Sequence, residues 1–173
     1  AQGTNECIPC VAGKVSNIEG ADQEAQCVSC QAGQYQGSDG QPSCIQCLEG
    51  KYQNERGETE CTDCDTGQYQ AESGHISCIA CEPGTYQNQE GTTECIDCDK
   101  GEFQPNASQD ECIQCAQGQY NAVTAQASCI DCDAGFYQSD KGATSCIECD
   151  LGQYQHQSGQ ITCIECVAGQ YQH

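Results

Sequence analysis

Twenty cysteines stand in this chain as ten Cys-x-x-Cys pairs, whose first members are Cys7, Cys27, Cys44, Cys61, Cys78, Cys95, Cys112, Cys129, Cys146 and Cys163. Two chemistries use such pairs. Two pairs together supply four thiolates to a tetrahedral zinc ion, so ten pairs would make five sites. The alternative is a cross-link between the second Cys of one unit and the first Cys of the next. Three features favour cross-links. Zinc would join units two by two and leave a two-unit period, yet all units look alike. Zinc modules of this kind serve intracellular, often nucleic-acid-facing roles, and a net charge of −21 repels phosphate backbones. No βαβ context surrounds any pair, which removes a thioredoxin-type reading.

Other chemistry has little to rest on. His75, His156 and His173 fall at unrelated positions, and neither a nucleophile motif nor a phosphate loop occurs. The expectation is a protein that is not an enzyme. Calcium is the one small-ligand candidate, because carboxylates flank the second Cys of several pairs: Asp63 and Asp65, Asp97 and Asp99, Asp131 and Asp133. The ion needs six to eight oxygens and no EF-hand loop is present, so these are weak candidates. No other cofactor is expected. Asn106-Ala107-Ser108 is a glycosylation sequon, which points to a glycan at Asn106.

The elements that position the cysteines follow from a repeat. Successive first cysteines lie 17 residues apart, except for one step of 20 from Cys7 to Cys27, and the unit reads CIxCxxGxYQxxxGxxxC. A Gly stands three residues after every second Cys, from Gly13 to Gly169. Ten occurrences without exception point to a positive φ or a backbone approach that a Cβ would block. Two residues later comes Tyr or Phe in nine units, with Val15 the exception. These rings are expected to lie over neighbouring disulfides as a minimal core. An apolar residue follows the first Cys in nine units, with Thr62 the exception, and a second Gly precedes the first Cys by four residues in seven. Short β-branched and aromatic stretches between glycines predict short β-hairpins and little or no helix.

Composition agrees that cross-links must hold the fold. Leu, Ile, Val and Phe make up 20 of 173 residues, with no Met or Trp, below the roughly 20% at which a chain buries enough apolar surface to order itself. Cysteine, also 20 of 173, exceeds the ~8–10% typical of secreted disulfide scaffolds. Such usage implies an oxidising compartment, hence an extracellular or cell-surface location. No apolar run approaches the roughly 18 residues of a membrane span. The opening Ala1-Gln2-Gly3, without Met, reads as a mature product or a fragment.

The run from Cys81 (CEPGTYQ) to Cys95-Ile96-Asp97-Cys98 resembles the first small module of tumour necrosis factor receptor cysteine-rich domains and the ephrin-receptor-like cysteine-rich repeats of large extracellular proteins. The resemblance covers the whole chain. It implies that each opening Cys closes on the first Cys of the following pair: Cys10–Cys27, Cys30–Cys44, Cys47–Cys61, Cys64–Cys78, Cys81–Cys95, Cys98–Cys112, Cys115–Cys129, Cys132–Cys146 and Cys149–Cys163. Tumour necrosis factor receptors alternate this module with another, whereas here one kind repeats at a fixed period.

Cys7 and Cys166 are left over. Seven residues follow Cys166 and six precede Cys7, and joined tail to head they restore the regular spacing of thirteen. The expectation is therefore a continuous array over residues 1–173, an elongated disulfide-rich rod or solenoid of about ten units, mostly irregular with short hairpins. Copies continue it head to tail or within a longer chain, with Cys166 bonded to Cys7 of the next copy. Near-identical units specify shape and length rather than a unique site, so the leading function is structural, a surface coat, appendage or matrix fibre. A receptor or adhesin ectodomain that binds a protein or glycan is the alternative, and nucleic acid is excluded as a partner by charge.

Overall fold

The computed structural model describes residues 8–18 and 24–170. Each unit begins with a tight turn. The carbonyl of the residue after the second Cys accepts the N–H three residues on, as in Gln34 to Gln31 (3.0 Å) and Gln68 to Asp65 (3.1 Å). The turn Gly sits third in these four residues with φ near +80°, as in Gly33 (+82°) and Gly67 (+75°). That is the backbone of a type II turn, where a Cβ is disfavoured.

The turn feeds a two-residue strand, and the two residues between the next pair of cysteines form its partner. Nine antiparallel two-stranded hairpins result among the described residues, from Lys14–Val15 with Val28–Ser29 to Gln153–Tyr154 with Ile164–Glu165. The strands stay short because a Gly turn bounds one and cysteines bound the other. Register is constant: the aromatic residue faces the apolar residue of the Cys-x-x-Cys pair, as in Tyr35 with Ile45 and Tyr120 with Ile130. A single 3-10 turn, Glu24–Gln26, lies in the 20-residue step, and no α-helix occurs among the described residues.

The chain divides into two compact units, Ala1–Ala80 with Gln89–Glu94, and Cys81–Asn88 with Cys95–His173. Inside the first, backbone bonds carry each repeat onto the next. Gly33 N–H donates to Gln53 (2.7 Å), Gln36 N–H to Glu58 (3.1 Å), and Gly57 N–H donates back to Cys30 (2.9 Å). The second unit repeats the pattern: Gly101 to Asn121 (2.9 Å), Gln104 to Gln126 (3.0 Å) and Ala125 to Cys98 (2.9 Å). Backbone groups that a buried turn would otherwise leave unpaired are satisfied by the neighbouring repeat.

The interior differs from the minimal core of rings over neighbouring disulfides that the sequence suggested. Tyr and Phe of the turns are half-buried on the hairpin face they share with isoleucine. The fully enclosed side chains are instead the second cysteines, Cys30, Cys47, Cys64, Cys81, Cys98, Cys115 and Cys132, each 0% exposed, and the amides that follow the aromatics. The amide can be enclosed because the loop backbone meets its donors and its acceptor, while the ring stays on the hairpin face.

Candidate functional site

The feature each repeat offers is the joint to its neighbour, built from a disulfide, an amide and two backbone turns. Among the described residues nine disulfides close it: Cys10–Cys27, Cys30–Cys44, Cys47–Cys61, Cys64–Cys78, Cys81–Cys95, Cys98–Cys112, Cys115–Cys129, Cys132–Cys146 and Cys149–Cys163. Their Cα atoms lie 5.6–5.8 Å apart, within the usual range. Eight close loops with a sequence separation of 14 and one, at the 20-residue step, a separation of 17. A loop of that length is worth about 3 kcal/mol in the loop-entropy account. Cys166 carries a free, half-exposed thiol. Cys7 lies outside the described residues.

Inside each disulfide loop an amide side chain braces the chain. Gln70 Nε2 donates to the Ser77 carbonyl (2.8 Å), and its Oε1 accepts the Glu72 N–H (3.1 Å). Gln36, Gln53, Gln104, Gln138 and Gln155 do the same, each reaching seven residues forward with Nε2 and two with Oε1. Burial of a primary amide is costly unless its donors and acceptor are met, and here the loop backbone meets them. Sequence reasoning assigned this glutamine no role. The signal was present: Gln follows the turn aromatic in eight of ten units, and Asn121 in a ninth.

The turn glycines have a second reason to lack a side chain. A Cβ on Gly33 would overlap the carbonyl of Gly74, and one on Gly50 that of Gly91, both two repeats further along in the first unit. In the second unit Gly101 meets Gly142 and Gly118 meets Gly159 in the same way. At these positions, inside each unit, a repeat thus touches the next through hydrogen bonds and the next but one through bare backbone.

The other predicted residues are dispersed. Asp63, Asp97 and Asp131 lie on hairpin strands, while Asp65, Asp99 and Asp133 open the turns. Asp63 pairs with Lys51 at 2.6 Å, and Asp131 accepts from Gln119 Nε2 at 2.8 Å. Among the described residues no three acidic, His or Cys side chains gather to hold a metal, so the aspartates proposed for calcium are not brought together. Asn106 is exposed, with its backbone N–H held by Gln104. Ser108, in place of the usual Gly, takes φ +60°. His75 contacts Glu72 at 3.0 Å and His156 lies beside Tyr154, their ring centroids 6.0 Å apart. His173 lies outside the described residues.

This geometry defines a tandem array of small disulfide-bonded hairpin modules. Residues 19–59, 50–94, 84–125, 118–159 and 139–173 match the model of a family described as tyrosine-protein kinase ephrin type A/B receptor-like, and the chain belongs to that family. No individual curated protein matches it. The family is a receptor-like cysteine-rich module and not an enzyme family. Together with nine disulfides, membership marks an extracellular or secreted disulfide-rich repeat protein. Among the described residues no helix is long and apolar enough to cross a membrane.

Proposed function

We propose that the chain is a non-enzymatic structural protein of an extracellular surface coat, appendage or matrix fibre, whose copies or successive segments continue the array head to tail. One observation carries the reading. The joint between repeats is made of backbone hydrogen bonds and a turn glycine that recur along each unit, beside loops held by a cystine and, in most repeats, a glutamine, while the remaining loop residues vary. Such a joint propagates length without building a unique pocket. The free thiol of Cys166 gives the continuation a covalent form, a disulfide to Cys7 of the next copy, and a heterologous contact that does not close extends as a fibre. The carboxylates act as dispersed solubilising charge rather than as calcium ligands, and Asn106 bears an N-linked glycan. Peptide mapping without reduction is expected to recover a Cys166–Cys7 cross-linked peptide. Recovery of both as free thiols, or bonded to each other within one chain, would remove the proposal.

Family membership favours a second reading, an ectodomain that binds a protein or glycan through its loops. Negative-stain microscopy separates the two: continuous fibres support the first, and short particles of one length the second.

A further inference from the structure

We propose that the loop from Asn121 to Ser128 is a limited-proteolysis site, cut by proteases that take small aliphatic residues, and that the cut leaves the array joined until Cys115–Cys129 is reduced. The inference does not depend on head-to-tail continuation. It starts from a buried polar atom. Asn121 is 1% exposed and its Oδ1 has no hydrogen-bond partner. The side chain is one methylene shorter than the glutamine of the other repeats. Its Nδ2 still reaches the Ser128 carbonyl, at 3.2 Å, and also the Glu102 carbonyl, at 2.9 Å. The bond that Oε1 makes elsewhere to the N–H two residues on is absent, so the brace is fastened at one end.

The same loop holds a second defect. Ala125 takes the place of the loop glycine with φ +58°, a left-handed conformation that costs an L-residue stability. Ser108 is strained in the same way in the preceding repeat, but there Gln104 keeps both of its bonds. Among the described loops only 121–128 combines a strained backbone with a half-fastened brace. A protease needs several residues drawn out into an extended strand, and cleavage falls where local opening is least costly. Ala122, Val123, Thr124 and Ala125 are exposed, small and uncharged, and suit the shallow apolar pockets of such enzymes.

The chemistry is hydrolysis of one peptide bond by one water, giving a carboxylate and an ammonium and leaving every sulfur as it was. Because the cut lies between Cys115 and Cys129, which are bonded to each other, both new ends remain attached. Separation needs a thiol reductant as well, and Cys115 is fully buried.

The test treats the native, disulfide-intact protein with elastase and, separately, with proteinase K. The first product is expected to be nicked within residues 122–127, heavier by one water, and to run as two fragments only after reduction. Asn121→Gln leaves the cleaved residues unchanged and is expected to slow that first cut about fivefold, the effect of one restored hydrogen bond where cleavage follows the open population. Ala125→Gly, which relieves strain by another route, should protect against proteinase K in the same way. A first cut by both enzymes in another loop, or equal rates for both variants and the parent, would overturn the proposal.

Discussion

Gly118 and Gly135 occupy equivalent positions in consecutive repeats, with φ +80° and +88°, yet their surroundings differ. A Cβ on Gly118 would strike the Gly159 carbonyl, whereas one on Gly135 would meet nothing within 4 Å. The pair separates two demands that the repeat pattern merges. Left-handed backbone asks for glycine at both positions, and at Gly118 the carbonyl of Gly159 asks for it a second time. The requirement for glycine is therefore partly local and partly a record of which backbone lies opposite.

The largest expected effect follows directly. Gly118→Ala should destabilise its repeat by about 3–5 kcal/mol, because overpacking against rigid backbone adds to an unfavourable φ. Gly135→Ala should cost only about 1–2 kcal/mol, the conformational part alone. Hydrogen exchange of the amides in the two turns measures both, and equal losses would abolish the distinction.

Next in size is the brace, which acts inside a repeat. Gln70→Ala strands the Ser77 carbonyl and the Glu72 N–H and should cost about 2–3 kcal/mol, seen as faster exchange across residues 70–77. Asn121→Gln should move its loop the other way by about 1 kcal/mol. The smallest effect is expected on the hairpin face, where Lys51 and Asp63 pair while both are partly exposed. Lys51→Ala should cost no more than about 0.5 kcal/mol, and less at high salt.

Much of the fold was legible because its constraints are local. The invariant Gly called for a turn, aromatic and β-branched residues between glycines and cysteines called for short hairpins, and the low aliphatic content excluded a large core. All three are present in the nine hairpins. What sits at the centre was not legible in the same way. Hydrophobicity nominated the rings, but Tyr35 and its equivalents are half-buried while Gln36 and its equivalents are enclosed. No scale of burial places an amide inside until the carbonyl and N–H that satisfy it are known. The acidic pairs show the same limit: neighbours in sequence, such as Asp63 and Asp65, lie on a strand and in a turn, and among the described residues no third acidic, His or Cys side chain gathers with them.

By itself, then, the amino-acid sequence determined the 17-residue period, the single 20-residue step, the turn and hairpin of each unit, and the family to which such units belong. These depend on φ preferences and spacings that act within about twenty residues. Only the tertiary structure decided that glutamine is the bracket, that turn glycines such as Gly118 meet backbone two repeats away, and that Asn121 leaves an oxygen unpaired. Those facts depend on which carbonyl comes to lie opposite which atom, and backbone carbonyls look alike in every sequence.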